Sequence, residues 1–284
     1  MSLIIDGKVV SADVRAKVKA ETEWLKSKGV NVCLAVVIVG DDPASRVYVN
    51  NKKRACAEVG FISEEYALPA ETTQEQLIEL VQKLNNRTDV NGILVQLPLP
   101  KHLDEKAVIE TINPLKDVDA FHAVNVGKIM IGDYDILPCT PAGVMEMLAY
   151  YNIDVTGKNC VVIGRSNIVG KPMAMLLLHK NGTVTICHSK TQNLKQICQD
   201  ADILVAAIGK AKFVKADMIK SGAVVIDVGM NRDENGKLCG DVDFADVEPK
   251  AAAITPVPGG VGPMTISMLM KNTLKVAKLQ NNIE

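Results

Sequence analysis

Hydrophobic and polar positions along the chain follow two alternating rhythms. Residues 31–40, NVCLAVVIVG, form an unbroken β-branched apolar run that stops at glycine. That is the pattern of a strand covered on both faces of a parallel sheet. Asp42-Pro43 follows, an acid suited to cap a helix and a proline suited to its first turn. The helix so begun is expected to stop near Gly60. FISEEYALP reads as a second strand, and TTQEQLIELVQKLNN as an amphipathic helix with Leu77, Ile78, Val81 and Leu84 on one face. VNGILVQLPLP is a third strand running into a proline-rich loop.

Over residues 113–140 the rhythm lapses, and NPLKDVDAFHAVNVGK reads as part of a long loop at a domain junction. TPAGVMEMLAYYN is expected to be a helix linking the halves. From Asn159 the alternation resumes: strand CVVIG, a helix from about Gly170, strand TVTICH, helix LKQICQ, then strands DILVAAIG and AVVIDVG. The final helix, from about Met264 to Leu279, carries Ile266, Leu269, Met270 and Leu274 at helical spacing. Strand–helix units in series predict an α/β protein with parallel sheets. The expected organisation is two domains with a cleft between them. An N-terminal α/β domain covers 1–138 and a Rossmann-like parallel-sheet domain covers 139–263. The last helix, 264–284, is expected to return to the first domain.

Composition narrows the function classes. An apolar fraction of 48% against 23% charged matches ordinary globular usage, so a sizeable core is expected. Thirty-two basic residues face thirty-three acidic ones, which argues against a nucleic-acid binder or a polybasic membrane protein. No apolar run approaches the roughly 20 residues that cross a bilayer, and MSLIIDGKVV lacks the long apolar region of a secretory signal. The seven cysteines (Cys33, Cys56, Cys139, Cys160, Cys187, Cys198, Cys239) are odd in number, scattered, and form no C-x-x-C pair. Neither a zinc site nor a disulfide framework is signalled, and a reduced, cytoplasmic protein without a metal is expected.

Candidate chemistry lies in several short stretches. CVVIGRSNIVGKP (160–172) follows a strand and opens a helix, as a dinucleotide-binding turn must. Gly164 and Gly170 match the outer glycines, Ser166 stands where a second glycine is usual, and the spacing is one residue longer. Where an NAD enzyme carries an acid at the tip of the next strand, this chain has His188, Ser189 and Lys190, with Arg165 in reach. Those donors favour NADP, with its 2′-phosphate, over NAD. For Lys190 a solvated loop is the competing reading.

Tyr48 and Lys52 in VYVNNKKRAC share a helical face, while Lys53 and Arg54 read as the wet side. Gln96 in VQLPLP sits where ligands of open parallel sheets bind, beyond a strand's carboxyl end, with Pro98 and Pro100 stiffening the loop. KDVDAFH offers Asp117 and Asp119, either of which can pair with a guanidine-like edge, serve as a cap or lie solvated. PVPGGVGPMT has three prolines and three glycines in ten residues, a rigid loop whose backbone a ligand can approach.

Taken in order, YVNNKK, VQLPLP, KDVDAFH, PCTPAG, VVIGRSNIVGKP, CHSKT and PGGVGPMT resemble the bifunctional methylenetetrahydrofolate dehydrogenase/methenyltetrahydrofolate cyclohydrolase family over nearly the whole chain. The resemblance implies NADP-dependent oxidation of 5,10-methylenetetrahydrofolate to the methenyl compound, then hydrolysis to 10-formyltetrahydrofolate. It implies Lys52 as the key residue of hydrolysis, Gln96 modulating it, Tyr48 positioning folate, and Asp119 recognising the pterin. Leu97, Pro98, Pro258, Gly259, Gly260, Val261 and Gly262 join these as substrate contacts. Gly164, Arg165, Ser166, Gly170, His188, Ser189 and Met230 are the implied nucleotide contacts, Met230 standing where the family usually has isoleucine. The implied partners are tetrahydrofolate one-carbon derivatives and a second copy of the chain as a homodimer, with no nucleic acid and no membrane. Whether Lys52 acts as a general base or as an electrostatic guide stays open at this level. An ordinary lysine, with a pKa of roughly 10.4, needs burial beside a cation to supply free amine.

Overall fold

A computed structural model describes residues 2–283, and the chain divides into two compact units, each discontinuous in sequence. One comprises the residues up to Ala12 with Pro138–Thr265; the other comprises Asp13–Leu137 with the residues from Ile266 on. The early residues therefore group with the second half of the chain, where the sequence alone assigned 1–138 to one domain. Leu3–Ile4 is the reason, because it pairs in parallel with Ala253–Ile254.

The second unit is built on a three-stranded parallel sheet with Cys33–Val39 between Ile62–Leu68 and Gly92–Val95. All seven residues of Cys33–Val39 are buried. On one face Cys33, Ala35, Val37 and Val39 pack with Leu77, Val81 and Leu84 of helix Gln74–Asn86. Each fully buried leucine there is worth about 1.5–3 kcal/mol. Thr73 and Gln76 start that helix with a reciprocal capping box. Lys116 ends it, its buried ammonium donating to the carbonyls of Leu84 and Arg87.

The first unit holds a six-stranded sheet in the order Leu3–Ile4, Ala253–Ile254, Val224–Asp227, Ile203–Ala206, Asn159–Ile163, Thr183–Cys187, with every pair parallel. From Asn159–Ile163 the chain passes to Thr183–Cys187 on one side, then crosses to Ile203–Ala206 on the other. The crevice beyond the carboxyl end of Asn159–Ile163 is thus the sheet's switch point, where open α/β sheets take their ligands. A short antiparallel hairpin, Asn231–Arg232 with Leu238–Cys239, follows Val224–Asp227.

Several elements depart from the sequence reading, three helices among them. Helix Gly7–Ser27 was not legible, because its buried positions include Ser11 and Thr22 while Val9 and Trp24 are exposed. The expected loop over 113–140 contains helix Ala123–Ile131, capped by His122 Nδ1, which accepts from Val124 N at 3.1 Å, and closed by Gly132 at φ 80°. The last helix, Val261–Gln280, begins three residues early. Pro263 falls in its first turn, where a missing N–H costs nothing. Among the described residues no helix is long and apolar enough to cross a membrane.

Candidate active site

The sequence-predicted residues fall into two groups, one in each unit. In the three-stranded unit, helix Pro43–Val59 starts as its sequence dictates: the Asp42 carboxylate accepts from Ser45 N at 2.7 Å, and Gly60, at φ 83°, stops it. Val49, Cys56 and Val59 form its buried side, and Lys53 and Arg54 are exposed. Lys52 is half-buried, and Tyr48, one turn earlier, is 39% exposed. Gln96 lies one residue beyond strand Gly92–Val95, its N–H donating to Val37 O at 2.8 Å. Lys52 Nζ donates to Gln96 Oε1 at 2.9 Å, and Gln96 Nε2 donates to the carbonyl of Leu97 at 2.6 Å. Two bonds of opposite sense therefore fix the amide's orientation and hold the lysine nitrogen at the end of the sheet. Leu97–Pro98, the next peptide, is cis.

The two acids of KDVDAFH separate cleanly. Asp117 pairs in parallel with Ile93 and is 2% exposed. Its Oδ2 accepts from His122 N at 2.8 Å and Asn125 Nδ2 at 2.9 Å. Burial pushes its carboxyl up to about 6 in spite of those donors. Asp117 is thus a structural acid, bonded to the residues that open helix Ala123–Ile131. Asp119, two residues further, is half-buried. The loop between is held by Asn272, whose Nδ2 donates to Val118 O and Leu137 O, both at 2.8 Å.

In the six-stranded unit the turn after Asn159–Ile163 occupies the switch point. Gly164 has φ +134°, and a Cβ there would overlap the carbonyl oxygen of Ala207. A Cβ on Gly170 would overlap the carbonyl oxygen of Gly164. The turn thus brings bare backbone against the neighbouring strand's end and against the helix start, which only glycine permits. Ser166 Oγ accepts from Val169 N at 3.2 Å and Gly170 N at 3.3 Å, capping helix Gly170–His179 and leaving its own hydroxyl proton to donate. His188 Nδ1 accepts from Lys190 N at 3.2 Å, so the ring proton belongs on Nε2.

Gly164, Arg165, His188 and Ser189 line a cavity of about 290 Å³ together with Ile163, Leu194, Ala207, Ile208, Lys210 and Phe213. Its size suits one mononucleotide half. Apolar walls with a cationic and hydroxyl-bearing rim, and no carboxylate among the lining residues, fit a nucleotide carrying an extra phosphate. Lys210 and Phe213 were missed by sequence reasoning. They follow strand Ile203–Ala206, and the pairing of that strand beside Asn159–Ile163 is what brings them in.

The PGG loop has a packing explanation for two of its glycines. A Cβ on Gly260 would meet Pro256 O at 2.6 Å and Thr255 Cβ at 2.8 Å, and Gly259 has φ +108° while its carbonyl accepts from Gly7 N at 2.9 Å. Gly262 differs, since a Cβ there would meet only Met230 Cε, at 3.5 Å. The structure thereby brings Met230, 52% exposed, to the first turn of helix Val261–Gln280.

Two family models match the chain: "Tetrahydrofolate dehydrogenase/cyclohydrolase, catalytic domain" over residues 5–119 and "Tetrahydrofolate dehydrogenase/cyclohydrolase, NAD(P)-binding domain" over residues 138–281. A protein of Acetivibrio thermocellus named bifunctional protein FolD is 65% identical over 277 residues, 98% of this chain and 97% of the relative. The crystal structure of the bifunctional FolD methylenetetrahydrofolate dehydrogenase/cyclohydrolase of Campylobacter jejuni superposes with a TM-score of 0.96 at 49% identity, covering 98% of this chain and 99% of that one. The Trypanosoma brucei N5,N10-methylenetetrahydrofolate dehydrogenase-cyclohydrolase, solved with NADP cofactor and an inhibitor, superposes with a TM-score of 0.93 at 41% identity, covering 98% of both chains.

Proposed function

Because the chain belongs to the tetrahydrofolate dehydrogenase/cyclohydrolase family, we infer that it oxidises 5,10-methylenetetrahydrofolate with NADP and then hydrolyses the methenyl product to 10-formyltetrahydrofolate. The observation that carries the hydrolytic half is the bond from Lys52 Nζ to Gln96 Oε1 at 2.9 Å. A dehydrogenase alone has no need of a lysine so pinned.

NADP, when bound, supplies the hydride acceptor for the carbon that bridges the two folate nitrogens. What the chain must do for that step is hold and orient. The bare backbone at Gly164 and Gly170 would hold the pyrophosphate, and Arg165, His188, Ser189 and Lys210, which line the cavity, would hold the phosphorylated ribose. Loss of hydride leaves a methenyl carbon already electrophilic, so water can add without a metal or a covalent nucleophile. The added water must lose both protons: one leaves to solvent as the hydroxyl becomes the formyl carbonyl, and the other passes to the ring nitrogen whose bond to that carbon breaks. Lys52 in its amine form is the group that takes and returns this proton. Gln96 fixes where its nitrogen sits, Tyr48 flanks the folate, and the Asp119 carboxylate accepts two N–H groups of the pterin edge. Homodimerisation and a cytoplasmic location complete the reading, both carried over from the family.

Purified protein is mixed with 5,10-methylenetetrahydrofolate and NADP, and NADPH, methenyl and formyl products are followed separately. Both NADPH and formyl product are expected. Repeating with Lys52→Met should give NADPH with methenyl product accumulating; retained hydrolysis would remove Lys52 from the mechanism. Absence of NADPH from the unaltered protein would overturn the dehydrogenase reading.

A further inference from the structure

Ala207, Ile208 and Lys210, which form one wall of the nucleotide cavity, belong to a segment outside any strand or helix. It leaves strand Ile203–Ala206 at the switch point, and three successive N–H groups lie beyond the sheet's ladder. One side chain collects all three. Asp241 is fully buried; its Oδ2 accepts from Ile208 N at 2.6 Å and Gly209 N at 3.1 Å, and its Oδ1 from Lys210 N at 2.8 Å. The same Oδ1 accepts from Asn231 Nδ2 at 2.9 Å, and Asn231 is the residue after Met230.

Asp241 is in turn held by a second buried acid. Asp227 Oδ1 accepts from Asp241 N and Gly229 N, and its Oδ2 from Val242 N, all at 2.9 Å. The fit is reciprocal: a Cβ on Gly240 would overlap the Asp227 carboxylate, and one on Gly229 would overlap the Asp241 carboxylate. Each acid fills the space that a glycine leaves in the other segment. A buried carboxylate with four donors is an arrangement that only a precise backbone geometry satisfies. Lys210 leaves this clamped backbone with its Nζ 5.7 Å from the centre of the Phe213 ring, a cation held at the cavity's edge.

We propose that Asp241 is the positioning residue of the nucleotide pocket: its carboxylate sets the backbone of 208–210, and through Asn231 the Met230 segment, in binding geometry before the nucleotide arrives. This rests on the reading of the six-stranded unit as NADP-binding. It assigns Asp241 no contact with the nucleotide. Its effect is preorganisation, which cuts the ordering cost of binding.

The test is Asp241→Asn, which keeps the side chain's size but turns an NH2 toward backbone N–H donors. NADP is titrated calorimetrically into the protein without folate, amide hydrogen exchange is followed at 208–210, and dehydrogenase KM and kcat are measured. The dissociation constant and KM for NADP should rise about 10- to 100-fold, as a mispaired buried acceptor demands. Exchange at 208–210 should quicken, and kcat at saturating NADP should fall far less than KM rises. An unchanged dissociation constant with a lowered melting temperature would overturn the proposal and leave Asp241 a purely structural clamp. If that variant does not fold, Asn231→Ala removes one of the four donors and should weaken NADP binding about threefold; unaltered binding there overturns the proposal equally. Failure of the unaltered protein to bind NADP would instead be failure of the underlying reading.

Discussion

Gln96→Glu exchanges one NH2 for oxygen at nearly constant size, giving up the bond to the Leu97 carbonyl and setting a carboxylate beside the lysine. A carboxylate oxygen would stand at the position now 2.9 Å from Lys52 Nζ. At that separation the attraction between unit charges is about 1.4 kcal/mol in a water-like dielectric and about 6 kcal/mol at an effective dielectric of 20. Lys52 is only half-buried, which places the pair toward the lower figure. Each 1.36 kcal/mol by which the ammonium form gains over the free amine removes tenfold of the amine. Hydrolysis of the methenyl compound at pH 7 should therefore fall about 10- to 100-fold. It should recover as pH is raised, because the amine reappears at higher pH. The assay is the decay of methenyl absorbance from pH 6.5 to 9.5, with NADP titration of the same sample as the check on folding. A rate that falls by the same factor at every pH would refute the proton-transfer role and leave Lys52 acting through its charge. A rate equal to that of the unaltered protein would refute any role for the pair.

Three further outcomes follow from geometry and burial. Gly170→Ala puts a methyl into the Gly164 carbonyl and 2.7 Å from Arg165 N, backbone atoms that cannot step aside. Overpacking of this kind should cost about 1–3 kcal/mol, seen as a lower melting temperature with NADP binding lost. Asp117 has a folded-state pKa of about 6 against an ordinary 3.8. The native state therefore holds the proton more tightly than the unfolded chain, and this acid's contribution to stability falls as pH rises from about 4 to 6. Asp117→Asn removes that loss, so its stability relative to the unaltered protein should improve by about 2 kcal/mol between pH 4.5 and 7.5 in denaturant titrations; a difference independent of pH would refute it. All seven cysteines are buried and unbridged, and burial raises the thiols of Cys33, Cys56 and Cys160 to about 11 and that of Cys198 to about 12. An aromatic disulfide reagent at pH 8 should titrate none of them within minutes in the native protein and all seven after denaturation.

Local signals were legible where the physics is local. Asp42, Pro43 and Gly60 bound a helix because capping and left-handed closure involve atoms within four residues. Gly164 and Gly170 could be read because the strand–turn–helix context that needs them is contiguous. The pairing of Lys52 with Gln96 spans 44 residues and was foreseen only through the family's motifs, since helical spacing speaks for Tyr48 and Lys52 alone. Asp117 and Asp119 could not be told apart within KDVDAFH, because the burial that marks Asp117 comes from its pairing with Ile93. His122 hid helix Ala123–Ile131, being an uncommon cap. Asp241 escaped notice altogether: its partners at 208–210 and 231 meet it only through strand order and a hairpin, neither of which leaves a periodic trace.

The parallel pairing of Leu3–Ile4 with Ala253–Ile254 has a consequence for how the chain is made and for how it can be dissected. Synthesis delivers one edge strand of the six-stranded sheet first and its neighbour some 250 residues later, so the sheet cannot close until the chain is nearly finished. The three-stranded unit likewise waits for residues beyond 265. Neither unit corresponds to a single stretch of coding sequence. Simple truncation cannot separate the two activities, and a stop after residue 137 would leave both units without residues they require. Point substitutions on the two sets of side chains are the way to obtain one activity without the other.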